Sequence, residues 1–258
     1  MLPRAAQTSE SESFGCPNLT CLIHTRSDIT SGTFMSESNL PEWEQLLSAA
    51  AHLQEILPDA TLVGGTAVAI FAQHRLSRDA DHVLPDLRHR FDEVLAELET
   101  VSGWRTARVK RPVLILGSLD GIETGVRQII REEPLETQEV AIAGVRLVVP
   151  TEEELLRIKG VLILRRNATR DYLDFAALSD RIGPARVKKA LAPLDRLYPQ
   201  TSGESALQQL QVQLANPMPY DLENTDLREY RRLHPKWHDW NRVKEICATI
   251  AVDLFERL

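Results

Sequence analysis

The segment from Leu62 to Val83, LVGGTAVAIFAQHRLSRDADHV, constrains the fold more than any other part of the chain. The apolar run ATLVGG predicts a short buried strand that ends in a glycine turn, and TAVAIFAQH predicts a helix. DADHVL then predicts a second strand. This order places Gly64 and Gly65 before a helix N-terminus, where backbone N–H groups bind phosphate readily.

An acidic pair on the second predicted strand complements the glycine turn. Asp79 and Asp81 are two residues apart, so their side chains point to one face of the strand, whereas Ala80 and His82 point to the other. Adjacent carboxylates repel each other unless a cation binds them, and oxygen ligands favour Mg²⁺ or Mn²⁺. The sequence therefore predicts a metal at this pair. It also predicts phosphates at Gly64, Gly65 and Thr66, whose hydroxyl adds a donor.

Each of these patterns is also common without a function. A Gly-Gly step is often only a turn, and two aspartates one residue apart are often a solvated surface pair. The prediction depends on their occurrence in this order, within a strand–helix–strand unit.

The chain changes character near Pro150. Residues 40–150 mix predicted strands and helices, and residues 151–258 are predicted to form a helical domain, beginning with a capping box at Thr151 and Glu154. The fold class predicted is thus α+β, a mixed sheet with flanking helices followed by a helical C-terminal domain. Residues 1–39 are rich in Ser, Thr and Glu and predict a disordered tail, and Met35 is a candidate translation start.

The beginning of the helical half is basic although the whole chain has a net charge of −7. Residues 156–196 contain ten Lys or Arg and four Asp, a net charge of +6, which fits either a phosphate-binding face or a solvated helix surface. Lys159 falls within the apolar arc of its helix, so it either extends to the edge or reaches a buried anion. Asp171 heads an apolar face of the next helix, where it either benefits from the helix dipole or orders a nearby cation.

These two regions resemble the AbiEii/AbiGii-type nucleotidyltransferase toxins of the DNA polymerase β-like nucleotidyltransferase superfamily. GGTAVAI and HRLSRDADHV match a GG-(S/T)-x-A turn followed by hR-x-S-x-D-x-D, and Thr66 replaces a common Ser. RIKGVLILRRNATRDYLDFAAL is similar to the later K-x-x-A-x-x-x-R-x-x-x-RD-x-x-D motif, through Lys159, Arg165 or Arg166, Arg170, Asp171 and Asp174.

The resemblance implies transfer of a nucleoside monophosphate from an NTP to a hydroxyl acceptor, such as a tRNA 3′ end, by the toxin of a toxin–antitoxin or phage-defence system. It implies Asp79, Asp81, Lys159 and Asp171 as catalytic residues and Mg²⁺ or Mn²⁺ as the metal. The NTP ligands it implies are Gly64, Gly65, Thr66, Lys159, Arg165 and Arg170. The superfamily often has a third carboxylate, which here is Glu123, Asp120 or absent, with Glu123 preferred because Asp120-Gly121 predicts a turn.

Two other functions fit the same motifs: a catalytically weak member that binds a nucleotide or a partner protein, and a transferase acting on small molecules, as aminoglycoside nucleotidyltransferases do. An antitoxin is an expected partner and the cytoplasm the expected location. No apolar run reaches the roughly 18 residues of a membrane helix, and the three cysteines match no zinc pattern. Trp237, Trp240 and Tyr230 are candidates for base stacking, with a place in the core as the preferred interpretation.

Overall fold

The computed structural model describes residues 42–255, and the predicted tail and Met35 lie outside the described residues. A five-stranded mixed sheet has the strand order β1-β2-β5-β4-β3, and β6 and β7 form a separate antiparallel hairpin. Strands β2 and β5 are parallel, and the other neighbouring pairs are antiparallel. The strands are β1 (Thr61–Leu62), β2 (Asp79–Leu84), β3 (Arg105–Lys110), β4 (Leu114–Leu119), β5 (Ile122–Gln128), β6 (Thr137–Ile142) and β7 (Val145–Pro150).

Helices flank the sheet and make up most of the chain after Pro150, which confirms the predicted α+β class with a helical C-terminal region. The helices are α1 (Glu42–Ile56), α2 (Gly64–Ala72), α3 (Leu87–Thr100), α4 (Glu152–Arg166), α5 (Thr169–Ile182), α6 (Pro184–Leu191), α7 (Leu194–Leu197), α8 (Ala206–Ala215) and α9 (Trp240–Phe255). Short 3₁₀ turns at Leu222–Asn224, Leu227–Glu229 and Pro235–Trp237 connect α8 to α9. Within residues 42–255, no helix combines the length and hydropathy needed to cross a membrane.

Local sequence signals account for the boundaries that position the site. Helix α4 begins where the Thr151 side chain accepts a hydrogen bond from the Glu154 amide, the capping contact that the sequence predicted. It ends at Asn167, which is left-handed with φ +45°, a conformation that Asn tolerates well. Asp120 and Gly121 both have positive φ in the tight turn between β4 and β5, as their sequence predicted.

Two hydrophobic clusters hold these elements together. One cluster covers a single face of the five-stranded sheet with α1 and α3, and it includes Leu53, Leu84, Phe91, Ile115 and Val126. The other joins α2 and the β6–β7 hairpin to the helices that follow Pro150. Residues on both sides of position 150 therefore share one core, and β2 lies between the two clusters.

His82 lies in this core, on the face of β2 opposite the acidic pair. Its side chain is fully buried and its Nδ1 donates a hydrogen bond to the Ala80 carbonyl at 3.0 Å. Burial lowers the pKa of His82 from 6.5 to about 4.

This lowered pKa predicts a loss of stability in acid. Between pH 6.5 and about 4 the unfolded chain binds a proton that native His82 does not, so the free energy of unfolding falls with falling pH, by up to about 3 kcal/mol. Urea unfolding of the wild type and of His82→Gln over this range measures the slope. We expect a shallower slope for His82→Gln and an unchanged slope for the exposed control His89→Gln; equal slopes in all three proteins would contradict the assignment.

Candidate active site

A cavity of about 450 Å³ lies where the start of β2, the N-terminus of α2, helix α4 and the loop before α9 meet. Its wall contains most of the residues that the sequence predicted for the site. The predicted residues that line it are Gly64, Gly65, Asp79, Asp81, Glu123, Lys159 and Arg170. A volume of this size is typical of a small-molecule site.

The acidic pair faces this cavity, as the alternation along β2 predicted. Asp79 Oδ1 accepts a hydrogen bond from Ser77 Oγ at 2.6 Å, and Asp81 Oδ1 lies 3.5 Å from Arg127 Nη2. Burial raises the pKa of Asp81, Arg127 opposes this shift, and the negative charge of Asp79 adds to it. Because its charge is poorly compensated, Asp81 is suited to bind a cation.

Glu123 is the nearer candidate for a third carboxylate. It pairs with Asp79 in the parallel register of β2 and β5, so both side chains share one face, and Glu123 lines the cavity. Asp120 instead bonds to His52 Nδ1 at 2.8 Å and is not among the lining residues. Across residues 42–255, no three His, Cys, Asp or Glu side chains gather closely enough to form a complete metal site. An ion held by Asp79 and Asp81 would thus take its remaining ligands from water and substrate oxygens, which is usual for Mg²⁺.

The glycine turn lies beside Asp81 of the acidic pair. Helix α2 begins at Gly64, two residues before the predicted start, and Gly64 has φ +75°. A Cβ built on Gly64 would lie 3.5 Å from Asp81 Oδ2, and one on Gly65 would lie 2.6 Å from Arg75 Nη2. The turn therefore brings backbone against both Asp81 and a guanidinium, and only glycine fits without strain at Gly64.

Thr66 differs from its predicted role. Its side chain is fully buried, and its Oγ1 donates a 2.6 Å hydrogen bond to the backbone carbonyl of Asp79. The hydroxyl thus joins α2 to β2 and does not line the cavity.

We predict that Gly64→Ala and Gly144→Ala lose similar stability, but that only Gly64→Ala binds an NTP more weakly than the wild type. Both glycines have positive φ, +75° and +81°, so each alanine adds about 1–2 kcal/mol of backbone strain. A Cβ at Gly144, in the β6–β7 turn, has no atom within 4 Å, whereas one at Gly64 faces Asp81. Thermal unfolding and fluorescent-NTP binding measure the two effects. Equal NTP affinity in both variants would show that the Gly64 turn does not contact the nucleotide.

Lys159 is fully buried and contacts buried carboxylates. Of the two outcomes that the sequence left open, an extended side chain or a buried anion as partner, the structure shows the second. Its Nζ lies 2.6 Å from Asp174 Oδ2 and 3.4 Å from Asp171 Oδ1. Asp174 also accepts from Arg75 Nε at 2.8 Å and from His74 Nε2 at 2.7 Å. Burial alone would raise the pKa of Asp174, but the Arg75 and Lys159 cations hold it well below its usual range. Asp174 is thus a buried anionic centre that fixes two cations beside the cavity.

Asp171 acts through another residue. It is fully buried in the first turn of α5 and binds Arg166 twice, from Nε at 2.5 Å and from Nη2 at 2.7 Å. Asp171 does not line the cavity, but Arg166 does. Of the two arginines that match the later motif, Arg166 therefore faces the site, whereas Arg165 is exposed outside it.

The sequence interpretation missed several residues of the cavity wall. Arg75 and Ser77 lie in the quoted HRLS segment, and their place in the hR-x-S pattern is the signal that could have identified them. Tyr230 also lines the cavity, with the Arg75 guanidinium 5.7 Å from its ring centre. Trp237 is buried in the core, and Trp240 packs edge-on against Tyr172 with ring centres 6.1 Å apart. Tyr230 is therefore the aromatic candidate that reaches the site.

Comparison with curated proteins finds matches to only a part of the chain. No protein-family model matches the sequence. The heme uptake protein MmpL11 of Mycobacterium tuberculosis is 40% identical over 129 residues, and the mycolic acid-containing lipids exporter MmpL11 of Mycolicibacterium smegmatis is 36% identical over 130 residues. Each match covers 49% of this chain and 13% of the relative, so the chain spans about an eighth of the length of these curated relatives.

Two of the solved structures found by comparison carry titles that bear on nucleotidyl transfer. ANT(2″)-Ia in complex with adenylyl-2″-tobramycin aligns with a TM-score of 0.46 at 14% identity, covering 59% of this chain and 97% of that one. A nucleotidyltransferase candidate from H. pylori aligns with a TM-score of 0.49 at 14% identity, covering 84% of this chain and 94% of that one. Because these TM-scores are below 0.5, we infer the chemistry of this chain from its own side chains.

Proposed function

We propose that this protein is a polymerase β-like nucleotidyltransferase that moves a nucleoside monophosphate from an NTP to a hydroxyl acceptor with the help of Mg²⁺ or Mn²⁺. One observation carries the proposal: Asp79 and Asp81 line one cavity with the Gly64 turn, which lies beside Asp81, and with Arg166 and Arg170. Carboxylates for a metal and cations for a polyphosphate thus meet in one site, which is the combination that phosphoryl transfer requires.

The residues of the cavity divide between metal and substrate. Asp79 and Asp81 would hold the ion, with Ser77 fixing the Asp79 carboxylate through the 2.6 Å hydrogen bond. When bound, the ion would neutralise the phosphate charge and orient the reacting oxygens. The backbone at Gly64 and Gly65 would contact the phosphates.

The cations would complete the triphosphate site. Arg166 and Arg170 reach the cavity from α4 and α5, and Asp171 holds Arg166 in position. Lys159 lines the cavity but already binds Asp174 and Asp171, so we assign it mainly to the positive potential of the site.

The reaction joins the acceptor oxygen to the α-phosphorus. The bond between this phosphorus and the α,β-bridging oxygen breaks, and pyrophosphate leaves with the bond electrons. The proton of the acceptor hydroxyl passes to a carboxylate of the site, for which Glu123 stands next to Asp79 in the strand register. Catalysis would otherwise depend on positioning and charge neutralisation.

Incubation of the full chain with each α-labelled NTP, Mg²⁺ and either total RNA or a panel of aminoglycosides tests this function. We expect label in an RNA product, with Glu139→Gln, a carboxylate change on exposed β6, leaving the yield unchanged. Label in a small product would replace the RNA acceptor by a small molecule. The absence of label from every acceptor would favour a nucleotide- or partner-binding protein without transferase activity.

The motif resemblance further supports a cytoplasmic toxin whose acceptor is a tRNA 3′ end and whose activity an antitoxin restrains. Induced expression of the wild type would then arrest growth of a bacterial host, and Asp81→Asn would not. Equal growth of the two cultures would separate the enzyme from any role as a toxin.

A further inference from the structure

The face of the five-stranded sheet that carries the acidic pair extends to the sheet edge as an open surface. The strand register aligns three rows across it, because paired residues on neighbouring strands point to the same face. The rows are Asp79–Glu123–Ser118–Arg105, Asp81–Gly125–Leu116–Arg108 and Val83–Arg127–Leu114–Lys110. We call these residues the open sheet face; on β2, β4 and β5 the opposite face is buried under α1 and α3.

The outer end of the open sheet face is basic because of a β-bulge. The pairing of β3 with β4 shifts between Thr106 and Arg108, so Ala107 adds one residue to the strand. Arg105 and Arg108 are three positions apart and would lie on opposite faces of a regular strand. The bulge puts them on one face together with Lys110.

These cations are available to a ligand. Every residue of β3 is exposed, and none of Arg105, Arg108 and Lys110 forms an ion pair with another residue of the described range 42–255. Arg127 lies between them and the site, with a side chain that is 46% exposed and reaches Asp81. Three cations thus line the edge strand and Arg127 lies between them and the acidic pair, in a chain whose net charge is −7.

The shape of the surface also suits an extended ligand. Three inter-strand spacings separate β3 from β2, about 14 Å at the usual distance between strands. Ser118, Gly125 and the half-buried Leu114 and Leu116 lie between the cations and the site, and Leu116 packs over Gly125. A flat, partly apolar floor with cations at its outer end matches a strand of linked phosphates better than a compact cationic acceptor, which it would repel.

We propose that the open sheet face binds the phosphodiester backbone of a nucleic-acid acceptor, with Arg105, Arg108 and Lys110 contacting phosphates upstream of the hydroxyl that reacts. The proposal rests on the proposed function for the role of the bound strand as acceptor. It excludes aminoglycosides as acceptors, because these are polycations and would meet like charge at β3 and at Arg127.

Binding is tested separately from catalysis. Fluorescence anisotropy measures the affinity of the full chain for a labelled single-stranded RNA of about 12 nucleotides, and for DNA of the same sequence, over a range of salt concentrations. The test variant is Arg105→Gln/Arg108→Gln/Lys110→Gln. The matched control is Arg88→Gln/Arg146→Gln/Lys189→Gln, which removes three exposed cations elsewhere on the chain.

We expect the test variant to bind RNA at least about tenfold more weakly than the wild type at low salt. The slope of log K against log salt should also be smaller by about 2, because each of three lost phosphate contacts on a single strand contributes about 0.7. The control should match the wild type. Equal losses in both variants, or no binding by the wild type at low salt, would overturn the proposal. If the test variant loses binding to both RNA and DNA, the cations contact the phosphate backbone, as proposed. If it loses binding to RNA alone, the same surface also recognises the ribose 2′-hydroxyl.

The labelling and RNA-binding experiments together test the surface assignment and the enzymatic assignment independently. If the wild type transfers no label but the test variant selectively loses RNA binding, the surface assignment stands and the enzymatic one fails. If transfer to RNA occurs and the test variant has an unchanged KM for RNA, the enzymatic assignment stands and the surface assignment fails.

Discussion

Asp81→Asn is expected to reduce nucleotidyl transfer by at least about 10³-fold while leaving the native state as stable as the wild type or more so. The activity falls because the variant loses one of the two charges that would hold the metal. The free energy of unfolding, in contrast, is expected to stay the same or to rise. The reason is that burial raises the pKa of Asp81, and the charge of Asp79 adds to this shift. A carboxylate with a raised pKa destabilises the native state once it ionises, so its removal does not lower the stability at neutral pH.

Two measurements check this combination. Transfer of label to the acceptor that the labelling experiment identifies gives kcat and KM, and urea unfolding without metal at pH 7 gives the free energy of unfolding. Glu139→Gln should change neither quantity. A variant with near-normal kcat, or one that loses stability along with activity, would mean that Asp81 is a structural residue and not a metal ligand.

Asp174→Asn is expected to lower the free energy of unfolding by about 3–5 kcal/mol, the largest stability loss that we predict. The substitution leaves Arg75 and Lys159 without the charge that both contact, in a region where Asp174 is fully buried. The pKa of Asp174 lies well below its usual range, so this stabilisation is present at neutral pH and is lost only as the pH falls below the usual aspartate value.

Asp180→Asn, six residues further along α5, is the matched control. Asp180 pairs with Lys236 and Arg242 at the surface, so its loss should cost less than about 1 kcal/mol. Equal losses for the two variants in urea unfolding would indicate that Asp174 contributes no more than an exposed ion pair.

The inner part of the site, which consists of the acidic pair and Lys159, was largely predictable because its sequence signals are local. The alternation in DADHVL places Asp79 and Asp81 on one face, and that strand occurs with the predicted bounds. The apolar arc around Lys159 predicted either an exposed end or a buried anion, and Asp174 is that anion. A resemblance alone suggested that these segments meet, since no local pattern specifies a contact between α4 and β2.

The outer part of the site was not predictable, for physical reasons. RTARVK has no apolar alternation, because β3 is an exposed edge strand, and the sequence interpretation therefore missed it. The bulge at Ala107, which aligns Arg105 with Arg108, is set by pairing with β4 and not by a local turn signal. Tyr230 lines the cavity from a loop of 3₁₀ turns without helical periodicity, so the sequence did not distinguish a place in the site from a place in the core.

Calorimetric titration of the wild type and Asp81→Asn with each α,β-methylene NTP, with Mg²⁺ and with EDTA, tests whether the acidic pair binds a metal together with a polyphosphate. We predict that the wild type binds an NTP only when Mg²⁺ is present and that Asp81→Asn binds it in neither condition. Equal affinity for the NTP in EDTA, or in Asp81→Asn with Mg²⁺, would contradict a metal–polyphosphate site formed by the acidic pair and the glycine turn.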